Sequence, residues 1–246
     1  MALRVMAYRH LWSSALTSPA KLASRQTSML YRAILFDFDG TLVPSLPLWV
    51  KSYQSAMHRF EHALTEEEVI RRCFYRDWDV LADEFGIADP RVLKEHVESS
   101  VREALLSSHL FPLVLPLIRR CRTLGLQTAL VTTATRYIVE HALPSFLLHD
   151  QFDSVICADD VSQFKPHPEP IHKTLQHLGR VPSEAIMIGD STADMKSGKA
   201  AGTATALFLP EAHAPFHSFE VLRATEPDYI FTDHSELPGI LGLPEH

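Results

Sequence analysis

The chain of 246 residues carries 23 Lys and Arg against 30 Asp and Glu, a net charge of −7, with 46% hydrophobic and 22% charged residues. That balance suits a globular protein able to bury roughly 70% of the surface its unfolded form exposes, and its acidity offers no footprint for nucleic acid or an anionic membrane. No uncharged apolar run approaches the roughly 18 residues of a membrane span, while Cys73, Cys121 and Cys157 are too few and too scattered for a disulfide framework or the usual structural zinc spacings, which points to a reducing compartment.

The first 32 residues hold five bases, five serines and no acid; the first acid in the chain is Asp37. Leu3, Val5, Met6, Leu11, Trp12, Ala15 and Leu16 can line one face of a helix that also presents Arg4 and Arg9. Two readings fit residues 1–30. One is an organelle transit peptide, which would place the protein in mitochondria or another organelle. The other is a disordered extension upstream of a start at Met29, which would leave it cytoplasmic.

From residue 33 onward, short apolar runs alternate with stretches of helical length. The runs are 33–36, 128–131, 155–157, 185–188, 204–208 and 229–231. Runs with so little polar alternation suit strands buried on both faces of a parallel sheet. Helices are expected at about 112–124, 134–147, 168–178 and 192–201, the last two stopped by Gly179 and Gly202. This alternation predicts a doubly wound α/β core made of residues 31–45 and 109–246. Residues 46–108 contain no strand pattern. They read as four helices, Leu48–His62, Glu66–Cys73, Asp77–Phe85 and Pro90–Leu106, inserted after the first strand between hinges at Val43-Pro44-Ser45 and 107–112.

The first strand ends in Phe36-Asp37-Phe38-Asp39-Gly40-Thr41. Two carboxylates leaving a buried strand together are costly unless a cation or a proton shares their site. Alone, the same tetrapeptide would read as a solvated Asp/Gly turn. The second core strand, however, ends in Val131-Thr132-Thr133, the third is followed by Phe164-Lys165-Pro166-His167-Pro168, and the fourth ends in Gly189-Asp190-Ser191 with Asp194 in the next helical turn. Carboxylates, hydroxyl, ammonium and carboxylates would then meet at the carboxyl edge of one sheet, where open α/β folds bind ligands.

In order and spacing these four motifs resemble those of haloacid dehalogenase superfamily phosphohydrolases, most closely the phosphoglycolate-phosphatase-like branch. The likeness spans about residues 31–242 and includes an inserted helical cap over 46–108. One departure is Pro44, where relatives usually carry Asp; it alters the hinge and leaves the chemistry alone. The resemblance implies Asp37 as nucleophile and Asp39 as general acid and base. It implies Mg²⁺ held by the Asp37 carboxylate, the Asp39 carbonyl and Asp190, with Asp194 orienting a metal-bound water or Lys165. Thr132 and Lys165 would bind the transferring phosphoryl oxygens. The implied partner is a small phosphorylated metabolite, best guessed as phosphoglycolate or a sugar or polyol phosphate, with neither nucleic acid nor membrane involved and a monomeric or homodimeric state. A phosphosugar mutase, a hydrolytic dehalogenase and a catalytically silent binding domain on the same fold are the alternatives.

The remaining candidates take bland readings. The fourteen histidines show no pairing with Cys or Glu at metal-ligand spacing. His167 reads as a residue at a helix start. Trp49, Tyr53, Phe60, Phe74, Tyr75, Trp78 and Phe85 read mostly as the packing of a small helical core, with a minority available to line the substrate cleft. Arg71, Arg72 and Arg76 read as solvated helix charges, one of them able to reach a substrate carboxylate.

Overall fold

The computed structural model describes residues 30–244; the amino-terminal segment, read above as a transit peptide or an extension, lies outside the described residues. Six strands, β1 (Ala33–Phe36), β2 (Gln127–Val131), β3 (Ser154–Ile156), β4 (Ala185–Gly189), β5 (Ala204–Phe208) and β6 (Tyr229–Phe231), form one parallel sheet in the order β3-β2-β1-β4-β5-β6. Leu35 of β1 stands opposite Ala129 on one side and Met187 on the other.

Successive strand residues face opposite sides of a sheet, and here both sides are covered. Ile34, Phe36, Leu130, Ile186 and Ile188 pack against Leu117, Ile118, Ile138 and Val139 of α5 (Val114–Thr123) and α6 (Arg136–Ser145). On the other face, Ala33, Leu35, Ala129, Val131 and Met187 pack against Ile171, Leu175 and Ala201 of α7 (Glu169–Leu178) and α8 (Thr192–Ala201). Continuous apolar strands are the signature of this double burial, each buried Leu or Ile side chain contributing about 1.5–3 kcal/mol. Gly179 and Gly202 end α7 and α8 with left-handed backbone, φ +64° and +81°. The chain closes with α9 (Phe219–Arg223) and α10 (Leu237–Ile240).

Between β1 and α5 lie α1 (Leu46–Arg59), α2 (Glu66–Arg72), α3 (Trp78–Phe85) and α4 (Pro90–Leu105). They bury a core of their own around Met57, Val69, Leu81, Leu93 and Val97. α1 starts two residues before its expected position, because Pro47 lies in the first turn, where no backbone N–H is needed. Thr65 and Glu68 cap α2 reciprocally. The two connections to the sheet domain are joined by a hydrogen bond from Phe111 N to Leu42 O (2.9 Å). Among the described residues no helix is long and apolar enough to cross a membrane.

The strand order decides where chemistry can happen. From β1 the chain winds outward through β2 and β3, then returns to the opposite side of β1 for β4. The crevice beyond the carboxyl ends of β1 and β4 is therefore the topological switch point, where the flanking connections diverge.

Candidate active site

Asp37 is the first residue beyond β1 and still belongs to the ladder, its N–H donating to Ile188 O at 2.9 Å. The chain then turns tightly at Gly40, which has φ +72°. A Cβ there would lie 2.1 Å from Asp190 Oδ2, so only glycine lets the loop pass the carboxylate leaving β4. Gly189 is constrained in the same way, since a Cβ would sit 2.3 Å from Asp194 Cγ. Both glycines are needed so that carboxylates can crowd together.

Lys165 reaches across from the segment after β3 and uses all three of its ammonium protons. Nζ donates to Asp37 Oδ1 (2.7 Å), Asp194 Oδ1 (2.5 Å) and Val131 O (2.8 Å). Asp194 is fixed in turn by the capping box of α8, its Oδ2 accepting from Ser191 N (3.0 Å) and Ser191 Oγ (2.6 Å). Of the two roles expected for Asp194, the structure thus displays its bond to Lys165. Burial alone would lower Lys165, but the Asp194 and Asp37 carboxylates outweigh it and hold the ammonium charged. Asp37 is pushed well above the carboxylate range by burial and by Asp194, with Lys165 opposing and Asp190 adding to the rise.

Asp37, Asp190 and Asp194 each offer an oxygen within 4.8 Å of the others. Three buried carboxylates against one ammonium leave surplus negative charge. An all-oxygen donor set of this kind fits a small, hard divalent cation. Thr132, next after β2, is buried, and its Oγ1 accepts from Ala134 N (3.0 Å). Its hydroxyl proton is therefore free to donate. Thr133 is exposed.

Asp39 is directed elsewhere. Its Oδ1 accepts from Ser45 Oγ (2.5 Å) and from Trp49 Nε1 of α1 (2.7 Å). Burial raises its pKa, and these two bonds together with Lys165 oppose the rise. Sequence reasoning left Trp49 among the packing aromatics; in the fold it binds a motif carboxylate. Tyr75 hangs over the cleft from the segment after α2. Its side chain is accessible (67%). Arg72 and Arg76 pair with Glu84, and His167 Nδ1 accepts from Glu169 N at the start of α7.

Two histidines overturn the bland reading of the fourteen. The loop after β5 brings His217 Nε2 to 3.2 Å and His213 Nδ1 to 3.5 Å from Asp190 Oδ2. The signal was a His-x-x-x-His spacing just beyond a strand that neighbours β4. Burial, then His217, lowers His213 to about 4, so it is neutral at pH 7. Its Nδ1 is buried with no hydrogen-bond partner among the described residues, which costs roughly 1–3 kcal/mol if nothing else binds there.

A doubly wound sheet presenting paired carboxylates, a buried lysine and a hydroxyl at its switch point defines a hydrolytic enzyme of one class. The haloacid dehalogenase-like hydrolase family model matches residues 34–208, and the chain belongs to that family. Its curated relatives include pyrophosphatases. The pyrophosphatase PpaX of Anoxybacillus flavithermus is 32% identical over 222 residues, covering 87% of this chain and 99% of the relative. Among solved structures, a predicted phosphoglycolate phosphatase from Haemophilus somnus superposes with a TM-score of 0.74 at 24% identity, over 87% of this chain and 99% of that one. CbbY from Rhodobacter sphaeroides, in complex with phosphate, gives a TM-score of 0.73 at 21% identity, over 87% and 100% of the two chains. The two structural likenesses concern the fold.

Proposed function

We propose that the protein is a Mg²⁺-dependent phosphomonoester hydrolase that acts on a small phosphorylated metabolite through a phosphoaspartate. The observation that carries this reading is the Lys165 bridge between Asp37 and Asp194, set at the switch point beside Asp190. Lys165 occupies Asp37 Oδ1, leaving the other carboxylate oxygen to attack phosphorus. As that oxygen–phosphorus bond forms, the bond to the ester oxygen breaks, and Asp39 gives its proton to the departing alkoxide. Asp39 then takes a proton from water, which attacks the phosphoryl group, breaks its bond to Asp37 and releases inorganic phosphate. Thr132 donates to the phosphoryl oxygens throughout, and Lys165, whose three protons are already engaged, supplies positive charge to the same oxygens. Asp37, the Asp39 carbonyl and Asp190 would hold Mg²⁺, which when bound supplies positive charge against the transferring group.

The helices α1–α4 serve as a cap over this cleft, and Pro44-Ser45 and 107–112 serve as its hinges. Phosphoglycolate and sugar or polyol phosphates are the first substrates to test. Pyrophosphate is the second reading, favoured by the 32% identity to a pyrophosphatase.

The deciding experiment measures phosphate release by the full chain from a panel of these compounds, with Mg²⁺ and with excess chelator. Activity should vanish on chelation and return with Mg²⁺. Asp37→Asn should lose several orders of magnitude while staying folded, and acid-quenched wild type should carry labelled phosphate on Asp37. A variant keeping more than about a tenth of the rate, a barrier change under roughly 1.4 kcal/mol, would remove Asp37 as nucleophile. A chain starting at Met29 should be fully active, since every motif lies downstream. A reporter fused behind residues 1–28 reaches an organelle if they are a transit peptide and stays cytosolic if they are an extension.

A further inference from the structure

His213 and His217 lie in the segment after β5, where the His217 N–H bonds to His213 O at 3.1 Å. That single turn puts both imidazoles on one side of the loop. Phe208 and Phe111 pack edge-on to His213, with ring centroids 5.5 and 6.2 Å away. Phe216, between the two histidines, stacks on Phe74 beside α2 at 6.3 Å, and Tyr75 lies 6.0 Å from His217. Both rings are therefore held before any ligand arrives.

The nitrogens and the Asp190 carboxylate form a triad whose ligating atoms lie within 4.8 Å of one another, separate from the Asp37, Asp190 and Asp194 triad but sharing Asp190. Two ligands at ordinary metal–nitrogen or metal–oxygen distances on a tetrahedral ion stand ~3.4 Å apart. The separations from Asp190 Oδ2 to the two nitrogens, 3.2 and 3.5 Å, bracket this value. A hydrogen bond accounts for His217 alone. His213 is 4% exposed and its Nδ1, aimed at the same oxygen, has no hydrogen-bond partner among the described residues.

We propose that His213, His217 and Asp190 form a second metal site, one that takes a borderline divalent transition metal and shares Asp190 with the oxygen-lined site. Two imidazoles and one carboxylate favour Zn²⁺, Co²⁺ or Cu²⁺ over Mg²⁺, whose preference is for oxygen. Asp190 bridges the two sites with its two oxygens, which sets the metals side by side at the carboxyl end of β4. The proposal shares Asp190 with the hydrolase reading, so its test is metal binding, which does not depend on turnover.

The full chain, stripped of metal and held in millimolar Mg²⁺, is titrated with Co²⁺ and followed by its visible absorption. A single equivalent should bind despite the Mg²⁺. Pulsed electron paramagnetic resonance of the wild type loaded with one equivalent of Cu²⁺ in place of Co²⁺ should show nitrogen coupling from imidazole. His213→Gln and His217→Gln should each weaken Co²⁺ binding on the order of tenfold or more while leaving Mg²⁺ binding in place. Co²⁺ that merely displaces Mg²⁺ one for one, or Cu²⁺ without nitrogen coupling, would overturn the site and leave the histidines as hydrogen-bonding neighbours of Asp190. The resonance measurement needs no variant, so a substitution that fails to fold does not affect the outcome. Transition-metal binding with nitrogen coupling in a protein that ignores Mg²⁺ would uphold this site and sink the hydrolase reading.

Discussion

Trp49 of α1 donates its indole N–H to Asp39 Oδ1 at 2.7 Å, on the oxygen that Ser45 also binds at 2.5 Å. The inserted helices are thereby tied to the proposed proton donor. Both bonds favour the ionised carboxylate and counter the rise that burial imposes. In Trp49→Phe one of them is lost, so the Asp39 pKa should rise further. Asp39 must hold a proton for the leaving alkoxide, and activity falls as pH climbs through its pKa. The basic limb of kcat/KM should therefore move to higher pH in the variant. A profile superimposable on that of wild type would separate Trp49 from the acid.

The same carboxylate reports which bond is broken. An alkoxide leaving group needs the proton from Asp39, whereas an aryl oxide is already a stable anion. Asp39→Ala should slow hydrolysis of alkyl phosphates on the order of 10²-fold more than aryl phosphates. Equal losses on both would place Asp39 in the turn or at the metal and not in proton transfer.

Among the described residues Lys165 is the one cation bonded to both Asp37 and Asp194. Removing it as Lys165→Met strands buried carboxylates without compensation, a loss of about 3–5 kcal/mol for a broken buried pair. Those carboxylates stabilise the fold best when protonated. The Tm deficit of the variant should accordingly be larger at pH 8 than at pH 5, and phosphatase activity should fall at least about 10²-fold. Thermal scans at the two pH values check the sign; a deficit that does not change would mean the carboxylates find another partner.

His234 bonds Thr41 O through Nε2 (3.0 Å) and packs among Phe111, Phe208 and Phe231. Burial lowers its pKa from 6.5 to about 4, with the Thr41 bond and Asp233 opposing. A depressed folded-state value means its contribution is complete above pH 6.5 and is lost as pH falls toward 4, up to roughly 3 kcal/mol. Denaturant titrations across this window should show wild type losing stability on acidification and His234→Gln losing less of it. Parallel curves would assign the acid loss to other groups.

Much of this molecule can be read directly from its residues. Each apolar run that lacks alternation became a strand of the sheet. The inner strands β2, β1, β4 and β5 are buried on both faces, which suits such a run, whereas Ile230 of the edge strand β6 stays exposed. α7 and α8 stop at the glycines that take left-handed backbone. Asp37, Lys165, Asp190 and Asp194 stand in motifs that follow successive strands, and the roles expected of them come from the resemblance those motifs carry; alone, Lys165 would read as a solvated surface lysine.

What the linear order could not decide is which groups touch. The sheet order β3-β2-β1-β4-β5-β6 sets β5 beside β4, so His213 and His217 meet Asp190, a contact between segments that share no local pattern. Trp49 reads from the sequence only as one of the aromatics of the inserted helices, most of which pack a core; the packing of those helices turns its one polar atom toward Asp39. Apolar burial depends on composition and period, which a sequence carries locally. The pairing of a hydrogen-bond donor or a metal ligand depends on distances of a few ångströms between remote segments, and those exist only once the chain has folded.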